Sequence, residues 1–298
     1  MWDELGVAYE RDGQFDKSIE TLRYAQKVDD TFVRTPFIMG QMYQERADQV
    51  KAALEAGQPL PKGGETDYGK LWLEANKAFS DSIKLDASYF VDNGMPDRID
   101  AILTASQQFT KTNSTLDIKN VLTDTIIKAY QNEMAYRDSL VTEFLTKTGE
   151  MQAKPGDTVS NDTLDKLWND PKWATKGPGS QLKGWVDPNF ADTAQKAVVP
   201  NSALGYIYFR LGDRPKALAL YTRAVKYDPT NYFNQKNLGS LLADAGHVDE
   251  GLQHLNEALR IITSYPDHTT DKNKIDNYNQ IRGEISRVIQ LKNPAPAP

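Results

Sequence analysis

The sequence predicts an all-α protein of the α-solenoid class, built from paired-helix repeats, on three observations. Four glycines interrupt amphipathic helical patterns in two pairs 34 residues apart, Gly6 with Gly40 and Gly205 with Gly239. Each follows a large apolar residue and precedes another apolar residue by three positions: Leu5 and Tyr9, Met39 and Tyr43, Leu204 and Tyr208, Leu238 and Leu242. A glycine inside a helix costs about 1 kcal/mol against alanine, and close approach of a partner helix is the packing reason that a 34-residue period supplies. Composition agrees: 298 residues with 39% hydrophobic and 26% charged content can bury a core. No run of about 18 apolar residues is present to span a membrane.

The repeats follow in order. In the first, Gly6 is followed by Gly13 at a turn, then Ser18, Leu22 and Ala25. The second opens with Met39, Gly40 and Tyr43, but its helical pattern runs on to about Ala56. A loop with Pro59, Pro61, Gly63 and Gly64 comes next, and the partner helix arrives late with Ala75, Phe79 and Ser82. Residues 1–90 thus hold two repeats, the second interrupted at about 57–67. Such an insertion is either part of a binding face or a tolerated lengthening, since a longer loop costs little entropy.

Residues 91–197 read as degenerate helical repeats, with one helix over 96–110 and a long one over 116–147 through Leu122, Ile126, Tyr130, Met134, Val141 and Leu145. Within them 151–188 is a long irregular loop carrying Trp168, Trp173 and Trp185 among Pro171, Gly177, Pro178, Gly179 and Gly184. Exposed indoles there would stack on a glycan or grip a peptide; buried ones would pin the loop to the helices, the preferred reading. Residues 198–265 hold the third repeat (Gly205, Gly212, Ala217, Tyr221, Ala224) and the fourth (Gly239, Gly246, Gly251, Leu255, Ala258). A capping helix is expected over 272–291, apolar at Ile275, Tyr278, Ile281, Ile285 and Ile289, followed by a disordered tail over 293–298.

At these registered positions the chain resembles the tetratricopeptide repeat family. That resemblance implies a non-catalytic scaffold holding a protein or peptide partner in the concave groove lined by the first helix of each repeat. Carried over by register, it points to Tyr206, Phe209 and Arg210 in the third repeat, and to Phe233, Lys236, Ser240 and Asp244 in the fourth. Aromatics beside Arg and Lys suit an extended peptide with acidic groups. Chaperone-binding members clamp a C-terminal carboxylate with lysine and asparagine. Here Ser202, Tyr206, Lys236 and Ser240 stand at those positions, so that role is rejected.

Catalytic and metal chemistry find no motif. With no cysteine there is no disulfide, thiolate ligand or cysteine nucleophile. His247, His254 and His268 read as surface residues rather than ligands. Gly177 to Gly184 lack phosphate-loop spacing, and Asp271, Asn273 and Asp276 lack the glycine and glutamate of a calcium loop. No cofactor, metal or enzymatic activity is therefore expected of this chain. A net charge of −6 argues against nucleic acid, and no cluster of Lys and Arg is dense enough to suggest an anionic membrane surface.

The chain opens inside a repeat, with Trp2 and Leu5 and no capping element, which reads as a continuation of something upstream and leaves an end open to self-association. The opening Leu5-Gly6-Val7-Ala8-Tyr9-Glu10 and the later Leu204-Gly205-Tyr206-Ile207-Tyr208 are also similar to the soluble repeat tails of bacterial O-antigen ligases and polymerases. That likeness implies an extracytoplasmic location, periplasmic or at the cell surface, with a membrane reached only through a missing upstream segment.

Overall fold

The computed structural model describes residues 2–86, 89, 118–154, 156–176 and 182–293. The expected helix over 96–110 and nearly all of the expected tail lie outside them. The chain divides into two compact units, Met1–Glu133 and Met134–Pro298. The first holds α1 (Trp2–Arg11), α2 (Phe15–Val28), α3 (Arg34–Glu55) and α4 (Tyr68–Leu85), and the boundary falls within α5 (Ile118–Lys147). The second continues with α6 (Asn161–Asn169), strands β1 (Ala174–Lys176) and β2 (Lys183–Trp185), then α7 (Pro188–Arg210), α8 (Arg214–Tyr227), α9 (Tyr232–Asp244), α10 (Val248–Thr263) and α11 (Lys272–Lys292). Helices α1/α2, α3/α4, α7/α8 and α9/α10 are the four pairs, so the class is all-α with paired-helix repeats.

The four glycines sit where each pair touches. A Cβ on Gly6 would lie 2.7 Å from Leu22 Cγ, on Gly40 2.6 Å from the Phe79 ring, on Gly205 3.1 Å from the Tyr221 ring, and on Gly239 2.8 Å from Leu255 Cγ. The partner lies 16 residues beyond the glycine in the first, third and fourth repeats, and 39 beyond it in the second.

The second repeat departs for a reason visible at one position. Gly13, Gly212 and Gly246 end the first helix of their repeats with φ of +73°, +84° and +92°, a left-handed conformation that only glycine adopts cheaply. Thirty-four residues after Gly13 stands Ala47, buried in α3. With no left-handed residue to stop it, α3 runs to Glu55 and turns only at Gly57, φ +61°. The chain that follows is held down. Arg46 donates to the carbonyls of Pro61 (2.9 Å), Lys62 (3.1 Å) and Gly63, and stacks over the Phe15 ring. The Gly64 N–H donates to Asp16 at 3.0 Å, and Asp67 then caps α4.

Residues 151–188 are more regular than their Pro and Gly content implies. Ser160 caps α6 by accepting from the Thr163 N–H, and β1 and β2 pair antiparallel with Ala174 opposite Trp185. Their apolar side chains join Val141 and Leu145 of α5, Phe190 and Ala194 of α7, and Tyr227 of α8 in one core. Helix α7 begins at Pro188, ahead of the repeat start expected near 198, and passes through Pro200, with the Asn201 side-chain amide donating to the Ala197 carbonyl. In α11 the buried stripe is Ile281 and Val288, with Tyr278 and Ile285 beside it; Ile289, expected on this stripe, is exposed. The stripe follows i, i+4, i+7 from Ile281, and 289, at i+8, lies about 80° round the helix from Ile281, at the stripe's edge.

Burial raises the phenols of Tyr221 and Tyr227 above their ordinary value near 10. The unfolded chain releases these protons at about pH 10 while the folded chain holds them. The stability they contribute is complete below that pH and is lost as pH rises beyond it. Urea midpoints are therefore expected to stay flat to about pH 9 and fall above about pH 10, and to fall less steeply in a Tyr221→Phe, Tyr227→Phe variant. A variant whose midpoint falls as steeply with pH as the wild type would contradict this.

Candidate functional site

A cleft of about 420 Å³ lies in the second unit between α7, α9 and α11. Of the seven residues the register selected, Tyr206, Phe209, Lys236, Ser240 and Asp244 line it, and Arg210 and Phe233 do not. Arg210 instead donates to the Tyr206 hydroxyl at 3.0 Å. Phe233 packs against the core of Ala217, Tyr221 and Leu241, with the Lys236 ammonium 5.2 Å from its ring. Tyr206 is half-buried against the same core, while Phe209 is 39% exposed and open to a partner.

The register does not reveal that the capping helix forms the other wall. Gln280, Gly283, Glu284 and Arg287 of α11 face the cleft at i, i+3, i+4 and i+7, one side of a helix. A ladder joins them to α9: Lys236 Nζ donates to Gln280 Oε1 (3.0 Å), Ser240 Oγ to Glu284 Oε2 (3.0 Å), and Arg287 to Asp244 Oδ1 (2.9 Å). Asp244 also takes Arg214 at 2.6 Å, and that guanidinium lies 4.9 Å from the Phe209 ring. The polar stripe of α11 was legible as a polar outer face; its alignment with α9 was not.

The carboxylates of the cleft are thus committed. Arg214 and Arg287 share Asp244, and Arg287 also holds Glu284 at 2.9 Å. Lys236 differs. Its hydrogen-bond acceptor is the neutral Gln280, and among the described residues no carboxylate lies within ion-pair distance of it. Burial pulls its pKa below the ordinary lysine value, against the opposing charge of Glu284. The wall around Phe209 and Lys236 therefore combines exposed apolar surface with a cation lacking a bonded counter-charge.

The three tryptophans of the 151–188 segment differ in exposure. Trp173 is buried, and Trp185 is half-buried with its Nε1–H donating to the Tyr227 carbonyl at 2.8 Å. Trp168 is half-buried edge-on against Trp185, with the Lys183 ammonium 5.1 Å from its ring. Phe144 and Phe190 complete the aromatic cluster. Trp173 and Trp185 thus pin the segment, as the preferred reading expects, while Trp168 also lines a cleft of about 420 Å³ with Lys183, His254 and Arg260. The glycan-binding alternative finds no support in the comparisons below. One histidine also departs from expectation, since His254 is half-buried with Nδ1 2.7 Å from Gln235 Oε1, and burial lowers its pKa.

In the first unit a second cleft, about 700 Å³, lies between α2 and α4 with Glu65 of the insertion on its rim. Tyr24 and Leu73 there are exposed beside Arg23, Lys27, Glu20 and Glu74. Among the described residues no helix is long and apolar enough to cross a membrane, and no group of three His, Asp or Glu residues could hold a metal ion.

Fold and cleft together define a helix-pair repeat protein with an open cleft in its second unit. Residues 201–231, most of the third repeat, match the model of the tetratricopeptide repeat family. The chain is similar to two crystal structures of MamA. One is 15% identical with a TM-score of 0.39, covering 86% of this chain and 94% of that one; the other is 14% identical at 0.40, covering 91% and 93%. It is also similar to the TPR2AB domain of yeast Sti1 in complex with pHSP90, at 13% identity and a TM-score of 0.27 over 97% of each chain. No curated protein matches. The narrower likeness to O-antigen ligase tails finds no support in these matches.

Proposed function

We propose that this chain is a non-catalytic scaffold that holds an extended segment of a protein partner in the cleft between α7, α9 and α11. The observation that carries the reading is the pairing of exposed Phe209 with Lys236, a partly buried cation without a bonded carboxylate. An acidic residue of a bound segment would supply that carboxylate, and apolar contact with Phe209 would supply desolvation.

The test is capture from native extract with the wild-type chain and with a Phe209→Ala, Lys236→Ala variant as parallel baits. Phe233 is left intact because it packs in the core. Circular dichroism is expected to show equal folding, and the captured partner is expected to bind the variant on the order of 100-fold more weakly, about 2.7 kcal/mol. A partner held equally by both baits would remove the cleft from consideration.

A further inference from the structure

Resting on that reading, we infer that Gly283 keeps open a pocket in the cleft wall that receives one large apolar side chain of the bound segment. Gly283 sits in the middle of the 21-residue α11, where glycine is a much poorer helix former than alanine. Its φ is not left-handed, so no turn requires it. A Cβ built there meets no heavy atom within 4 Å. Gly6, Gly40, Gly205 and Gly239 each face a partner helix at contact distance; Gly283 faces open space. Helix packing gives no account of it.

The cleft does. On the wall α11 presents, Gln280, Glu284 and Arg287 are tied to α9, and Gly283 is the one position with no side chain. The gap adjoins a cleft whose apolar lining is Tyr206, Phe209, Tyr221 and Leu241. A leucine, methionine or phenylalanine side chain entering beside Gly283 would cover that lining, and an acidic neighbour in the same segment would lie within reach of Lys236. The occupant is therefore a peptide segment in which a large apolar residue adjoins an aspartate or glutamate. Bulk at 283 would exclude it without disturbing the fold.

A random-peptide phage library selected on the intact chain supplies the probe, and the enriched peptides are titrated by fluorescence anisotropy. Enrichment of a large apolar residue beside an acidic one is expected. Gly283→Ala should fold, melt at or above the wild-type temperature and bind about threefold more weakly; Gly283→Leu should also fold and bind on the order of 100-fold more weakly. Peptides weakened by Phe209→Ala but bound by Gly283→Leu within about twofold of wild type would overturn the pocket and leave the cleft standing. Failure to enrich any peptide sensitive to Phe209→Ala would overturn both.

Discussion

Gly239→Ala is expected to destabilise the second unit by about 3 kcal/mol, while Gly283→Ala, the same chemical change in the same unit, stabilises it by up to about 1 kcal/mol. The difference lies in what the new methyl meets. At Gly239 it would lie 2.7 Å from the Gly251 carbonyl oxygen, 2.8 Å from Leu255 Cγ and 3.0 Å from the Leu255 nitrogen. The contact is reciprocal, since a Cβ on Gly251 would lie 2.6 Å from the Gly239 carbonyl oxygen. Backbone atoms cannot rotate away, so α9 and α10 must separate and lose packing along their length. Gly205→Ala falls between, because its methyl would meet Tyr221 ring carbons at 3.1 Å and the ring can tilt by a few tenths of an ångström. Urea unfolding with an unchanged m-value reads all three. A Gly239→Ala protein as stable as wild type would refute the backbone-contact account.

Asp138→Ala is expected to cost about 3–5 kcal/mol, because it strands two buried donors at once. Asp138 in α5 accepts from the Tyr227 hydroxyl and pairs with Arg223 at 3.3 Å, with side chains only 12% and 14% exposed. Arg223 also donates to Asn161 at 2.9 Å and to the Tyr227 hydroxyl at 2.6 Å, and lies 4.6 Å from the Tyr227 ring. Without the carboxylate the guanidinium keeps its burial and loses its counter-charge. The double change Asp138→Ala, Arg223→Met should recover part of the loss, since no uncompensated charge remains. Denaturant midpoints of the two single variants and the double variant measure it. A loss under about 1 kcal/mol for Asp138→Ala would show that water replaces the carboxylate and that the network contributes little.

The glycine pairs made the repeats legible because one residue type, at one period, answers one packing demand in every pair. Gly40 meets its partner helix, at Phe79, across an insertion, since the demand comes from the helix and not from the spacing. Gly283 was invisible to the same logic, lying outside the period and answering no packing demand. Phe209 and Phe233 occupy neighbouring places in the transferred groove, yet one faces solvent and the other joins the core; register alone carries no information on that choice. The register also ends with the fourth repeat, so it could not reach the wall contributed by α11. The strands β1 and β2 are three residues each, too short for an alternating pattern, and the aromatic cluster that orders them depends on Phe144 and Phe190 from distant helices.

The α3–α4 pair shows how this architecture gains material. Its helix contact spans 39 residues where the other pairs span 16, yet a glycine still receives a large side chain across the same kind of interface. Closing the longer excursion costs only about 1 kcal/mol in chain entropy, a toll set by the logarithm of length. Where the other repeats have a left-handed glycine this one has Ala47, and the helix runs on and carries extra chain outward. Evolvability in such a protein is thus a property of its turns: surface can be added there without the core having to be solved again.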